Sequence, residues 1–222
     1  MKPPPALVVF DLDGTLTSEY SAELTLFKHL FKSGFITRWN IAQLALGVWH
    51  KENRLTNIFL GNKRYLRNKR EEELHFLISE FFKPHIKQIV FKRMRRRIDE
   101  HRQQNQVLTI ISASLQPIVD CFVNELGLDA GLGCGLQKRN GHLTGNLAGV
   151  APYSKGKVVA LHDLRRKLKI PAATPLICYG NQYADRHILH CAHEAVCVKP
   201  TRKLRKLALK KNWRIIENPH RE

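Results

Sequence analysis

The sequence predicts an α/β protein: a parallel sheet flanked by helices, with an all-helical segment inserted after the first strand. Three observations carry this. The apolar runs Ala6–Phe10, Gln106–Ile111, Leu176–Tyr179 and Ala195–Val198 are too short for helices, and their content suits buried strands. From Gln106 onward, such runs alternate with stretches of helical period, the pattern of strands joined by crossover helices. Between Thr17 and Asn105 only helical signals occur.

The first run ends in Asp11-Leu12-Asp13-Gly14-Thr15. Side chains two apart on an extended chain point the same way, so Asp11 and Asp13 can face one site beyond the strand's carboxyl end. Ligands bind there in open parallel sheets. Two carboxylates that close repel unless a cation lies between them. A hard divalent ion such as Mg²⁺ suits them, because it commonly pairs one or two carboxylates with a substrate phosphate. Gly14 permits a sharp turn after the acids.

The helical segment follows. Glu19 to Phe31 places Leu24, Phe27, Leu30 and Phe31 near helical period, and Ile41 to Trp49 is short and apolar. Arg70 to Phe82 carries the clearest stripe, Leu74, Leu77, Ile78, Phe81 and Phe82. Glu71, Glu72 and Glu73 fall in its first turn, where the helix dipole favours negative charge. Pro84 to Gln104 continues the helical pattern with Ile86, Ile89, Val90, Met94 and Ile98.

The second strand is expected to end at Ser112-Ala113-Ser114, with Ser114 as N-cap and Pro117 in the first turn of the next helix. Asn140-Gly141 predicts a hairpin within Leu136 to Leu147. A helix over Lys157 to Leu168 leads to the Leu176–Tyr179 strand and then to Gly180-Asn181-Gln182-Tyr183-Ala184-Asp185. A short helix with Ile188 and Leu189, the Ala195–Val198 strand, a helix opened by Pro200-Thr201 and an edge strand at Trp213–Ile216 complete the chain.

Three strand-to-helix junctions repeat the logic of the first. A hydroxyl at Ser112, before a helix N-terminus, can bind phosphate oxygens beside backbone N–H groups. Lys157 at a helix start supplies a point charge for phosphate, with Lys155 as its rival. Asn181 and Asp185 follow the third strand.

These stretches resemble the motifs of the haloacid dehalogenase superfamily, in the phosphoserine-phosphatase-like branch. Asp11 to Thr15 matches the first motif in full; Ser112, Lys157 and Gly180 to Asp185 match the others in order. The resemblance implies a Rossmann-like core over 1–17 and 106–222 with a helical cap over 18–105. It implies a phosphatase in which Asp11 is the nucleophile and forms an aspartyl phosphate. Asp13 would protonate the leaving oxygen, activate water and lend its backbone carbonyl to Mg²⁺. Ser112 and Lys157 would hold the phosphate, and Asp11, Asp13, Asn181 and Asp185 would form the metal site. Asn181 departs from the family's usual aspartate, and Ala184 is a smaller departure, so weaker Mg²⁺ binding is expected.

Composition bounds the partners. The formal charge is +18, from 37 Lys and Arg against 19 Asp and Glu, which attracts anions. Basic clusters run from Lys83 to Arg102 and from Lys199 to Arg214. The expected substrate is a small phosphometabolite or a phospholipid phosphate. The alternative is a catalytically weakened protein that binds RNA or acidic membrane; with no RNA-recognition signature, nucleic acid is the lesser expectation. Phe27, Phe31, Phe35, Trp39 and Trp49, interleaved with Lys28, Lys32 and Arg38, suggest contact with an acidic membrane surface, against the simpler reading of cap core and rim. No apolar run reaches the ~18 residues of a membrane span. The N-terminus lacks a signal-peptide pattern, and five scattered cysteines read as reduced, so a cytoplasmic protein is expected. His190, Cys191, His193 and Cys197 do not have zinc-pair spacing.

Overall fold

The computed structural model describes residues 5–18, 21–48 and 63–220. Among the described residues, seven strands form one sheet in the order β4-β3-β2-β1-β5-β6-β7. They are β1 (Leu7–Phe10), β2 (Val107–Leu115), β3 (Ala130–Arg139), β4 (His142–Ala148), β5 (Leu176–Gly180), β6 (Glu194–Val198) and β7 (Arg214–Ile216). All neighbours pair parallel except β3 with β4, the hairpin that turns at Asn140-Gly141. Both turn residues have positive φ, 51° and 75°, as the favoured two-residue hairpin turn requires.

β1 sits at the centre, and its side chains alternate between two cores. Val8 and Phe10 join one cluster with Ile110, Phe122 and Val196. Leu7 and Val9 join the other with Leu161, Leu164, Cys178 and Leu204. A strand covered on both faces must be apolar throughout, as this one is.

Among the described residues, five helices lie between β1 and β2: α1 (Ala22–Lys32), α2 (Arg38–Val48), α3 (Glu71–Phe82), α4 (Ile86–Ile89) and α5 (Lys92–Gln103). α1 is capped by Ser21, whose side chain accepts from the Leu24 N–H at 3.2 Å. Leu26 and Leu30 of α1 and Leu74, Ile78 and Phe82 of α3 bury into the core that holds Phe10. Glu19 and Trp49, ends of two expected helices, lie outside the described residues.

After β2, the helices are α6 (Gln116–Leu126), α7 (Gly156–Lys167), α8 (Arg186–His190) and α9 (Arg202–Lys210). α6 buries Ile118, Val119 and Phe122, the face expected from its period.

Two local expectations are corrected. Pro84 to Gln104 is two helices: Val90 is extended (φ −73°, ψ 128°), and the Phe91 N–H donates to the Leu16 carbonyl. The chain breaks there because it bridges back to Thr17, a tertiary pairing that periodicity cannot report. β2 runs on through Ser112 and Ser114 to Leu115, so Ser114 does not cap α6. Its hydroxyl serves the site instead.

Candidate active site

Register brings the site together. Phe10 of β1 pairs with Ile110 of β2 and with Tyr179 of β5, so these three positions are level. Asp11, Ser112 and Asn181 follow within two residues of those positions. They therefore gather at one edge of the sheet, where parallel α/β folds bind ligands. A cavity of about 440 Å³ opens there, lined by Asp11, Asp13, Ser112, Ser114, Lys157 and Asp185 among others.

Lys157, the second residue of α7, is buried. Its Nζ donates to Asp11 Oδ1 at 2.6 Å and to Asp185 Oδ1 at 2.7 Å. One ammonium thus joins two carboxylates that are 174 residues apart in sequence. Burial opposes its charge, but the two carboxylates outweigh burial and hold Lys157 above the ordinary lysine range. Lys155, the rival, is exposed.

Burial pushes the Asp11 carboxyl up to about 7, against the pull of Lys157 and with added repulsion from Asp185. Its second oxygen accepts from Thr15 Oγ1 at 3.0 Å. Asp13 is held differently. Its oxygens accept from the Ala22 N–H at 2.6 Å and from Ser114 Oγ at 2.7 Å. Burial raises it above the usual carboxylate range despite those two bonds. Ser112 Oγ accepts from the Ser114 N–H at 3.1 Å.

The last motif forms a tight loop. Asp185 Oδ2 accepts the N–H groups of Asn181 (3.1 Å) and Gln182 (2.9 Å), which leaves Oδ1 for Lys157. Gly180 is needed for this: a Cβ there would lie 2.8 Å from Asp185 Cβ. Asn181 is buried behind the cavity, its Nδ2 against Gly14, where a Cβ would come within 2.1 Å. Gly14 also has φ +75°, so both space and conformation demand glycine.

Asn181 Oδ1 is buried and has no hydrogen-bond partner. A buried acceptor in that state is costly unless something satisfies it. A hard cation would, with the neighbouring carboxylates of Asp11 and Asp185, and the donor set therefore fits Mg²⁺. No three of the described His, Cys, Asp and Glu side chains converge as a metal cluster. The same holds for the His190, Cys191, His193 and Cys197 stretch.

One buried assembly beside the cavity has no motif to announce it. Glu23, in the first turn of α1, lines the cavity. Both its oxygens accept from Lys63 Nζ at 2.6 Å, and Oε1 also accepts from the Tyr65 hydroxyl at 2.8 Å. Lys63 and Tyr65 are fully buried. The only sequence signal is an acid just inside a helix N-terminus, too common to mark a site.

A lysine that bridges Asp11 and Asp185 beside a cavity at the sheet's carboxyl edge is an arrangement suited to an anionic ligand. The chain matches the haloacid dehalogenase-like hydrolase model over residues 8–190 and belongs to that family. Among curated relatives, a phosphoserine phosphatase of Mycobacterium tuberculosis is 26% identical over 219 residues, covering 95% of this chain and 70% of that protein. A probable phosphatase of the same organism is 25% identical over 221 residues, covering 93% and 73%. Among solved structures, a Bordetella pertussis Tohama I protein of unknown function superimposes with a TM-score of 0.82 at 18% identity, covering 96% of this chain and 98% of that one. A phosphoserine phosphatase holding a phospho-aspartyl intermediate analogue gives 0.61 at 17% identity, covering 97% and 94%.

Proposed function

We propose that this chain is a Mg²⁺-dependent phosphomonoesterase working through an aspartyl phosphate on Asp11. The observation that carries the reading is the shared ammonium of Lys157 between Asp11 and Asp185 on the floor of a cavity also lined by Ser112. Asp11 Oδ1 attacks phosphorus, and the bond to the leaving oxygen breaks. Asp13, whose carboxyl burial favours protonated, gives its proton to that oxygen; it then takes one from the water that attacks the aspartyl phosphate. Lys157 and the Ser112 hydroxyl hold the phosphoryl oxygens. Mg²⁺ held by Asp11, Asn181 and Asp185, with the Asp13 carbonyl, would neutralise charge on the transferring group.

The division of labour we propose is a core of 1–17 and 106–222 that does the chemistry and a helical cap of 18–105 that selects the substrate. The substrate is a small phosphometabolite or a phospholipid phosphate; phosphoserine itself belongs in the panel because a curated relative and a structurally similar protein bear the name phosphoserine phosphatase. All five cysteines are unpaired, which supports a reducing, cytoplasmic setting. No described helix is long and apolar enough to cross a membrane. Phe31 and Trp39 are 41% and 67% exposed, which supports contact of the helical segment with an acidic membrane surface; Phe35 is buried and Trp49 lies outside the described residues.

A panel of phosphate esters with and without Mg²⁺, blanked by Asp11→Asn, tests the reading. Mg²⁺-dependent release that vanishes in the variant is expected. Release that survives Asp11→Asn would refute the role of Asp11. A second reading, loss of turnover with retained binding of RNA or acidic membrane, rests on Asn181 and the +18 charge. Salt-titrated binding separates the two, since phosphate-backbone binding weakens steeply with salt.

A further inference from the structure

A second depression of about 500 Å³ adjoins the reaction cavity and shares Tyr153, Gln182 and Ala184 with it. Three cations line this groove, Arg186 at the start of α8 and Arg202 and Lys203 at the start of α9, and no acid does. The Arg186 guanidinium lies 4.4 Å over the Tyr183 ring and donates to the Tyr183 carbonyl at 3.0 Å, which fixes it at the groove wall. None of the three forms an ion pair with a carboxylate among the described residues, whereas Arg205, farther along α9, is paired with Glu217. The reaction cavity offers its own far end nothing equivalent. Apart from the site residues, its one charged lining residue is Glu23, already paired with Lys63 and hydrogen-bonded by the Tyr65 hydroxyl.

We propose that this groove is a second anion subsite: it takes a second phosphate or a carboxylate carried on the leaving group of the substrate. Unpaired cations at a wall continuous with the reaction cavity would attract such a group and fix its reach. The inference deepens the phosphatase reading and rests on it. It narrows the substrate class from phosphate esters in general to esters whose alcohol bears another anionic group.

Binding of non-hydrolysable ligands to the full chain tests this apart from turnover. Alkane-α,ω-bisphosphonates of three to eight carbons, a range that covers the unknown reach, are compared calorimetrically with matched alkylmonophosphonates. In the unaltered chain, at least one bisphosphonate should bind about ten-fold tighter than its partner, the expected effect of one charge-assisted contact. In Arg186→Gln/Arg202→Gln/Lys203→Gln, that advantage should fall to less than about three-fold, while monophosphonate affinity stays within about two-fold. Arg202→Gln/Lys203→Gln, which leaves the Tyr183 contact intact, should lose part of the advantage. Equal affinities at every length, or an advantage that survives the triple variant, would overturn the proposal. So would a triple variant that loses only its adhesion to phosphatidylserine vesicles, which would make the groove a membrane contact. Failure of the phosphatase reading shows separately, as propyl phosphate left intact by an enzyme that still discriminates the ligands.

Discussion

One buried ammonium group lines the cavity and another lies beside it, and they are built for opposite ends. Lys157 bridges Asp11 and Asp185, which follow different strands, and all three line the cavity. Lys63 is closed off entirely, with both oxygens of Glu23 on it and Tyr65 beside them. The first assembly keeps charge where a reacting group can use it. The second cancels charge within the protein and ties the segment entering α3 to the start of α1. Structural ion pairs are perturbed much as functional ones are; what separates these two is whether the ammonium lines the cavity.

Substitution should split them. Lys157→Met should lower kcat/KM by about 10³-fold while the protein still folds, since one preorganised charge on the phosphoryl oxygens is lost. Lys63→Met should instead destabilise by about 3–5 kcal/mol in urea unfolding, because Glu23 is left buried and unpaired. Turnover of a simple ester by the folded fraction should stay within about three-fold of the parent. Glu23→Leu/Lys63→Met should recover most of that stability. If Lys63→Met behaves like Lys157→Met, the distinction fails.

A finer cut lies at Asn181. Asn181→Asp adds a charge where Oδ1 has no partner and should tighten Mg²⁺ about ten-fold by calorimetry. Unchanged or weaker binding would refute its place beside the ion.

The smallest effect is one of pH. His101 of α5 bonds Tyr179 Oη at 2.7 Å through Nε2 and Gln106 Oε1 through Nδ1, tying the helical segment to β5. Burial, together with nearby Arg97, holds its imidazole below the ordinary range. Above about pH 6.5 both folded and unfolded chains leave it neutral. As pH falls below that, the unfolded chain binds a proton first, so stability drops until the folded imidazole also titrates. His101→Gln should flatten this acid limb in Tm against pH. An identical limb would assign it to other groups.

The sheet was legible because its signals are local: apolar runs, Asn140-Gly141, and carboxylates two apart. The candidate site was legible because its residues sit near strand-to-helix junctions, in the order that the resemblance leads one to expect. Asp11, Asp13, Ser112, Lys157 and Asp185 all line one cavity, and Asn181 lies just behind it. What was not legible depends on long-range pairing. Ser114 looks like a helix cap until Asp13 is placed beside it. The break at Val90 exists because Thr17 and Leu16 pass nearby. Lys63 and Glu23, 40 residues apart, carry no pattern that separates them from surface charges.

Covalent participation of Asp11 is the point on which the rest depends, and reductive trapping addresses it directly. Borohydride added during turnover of 4-nitrophenyl phosphate in Mg²⁺ reduces an acyl phosphate to the alcohol, and peptide mapping locates it. Homoserine at position 11 is the expected result. Homoserine at another carboxylate, or none anywhere while the ester is being hydrolysed, would contradict it.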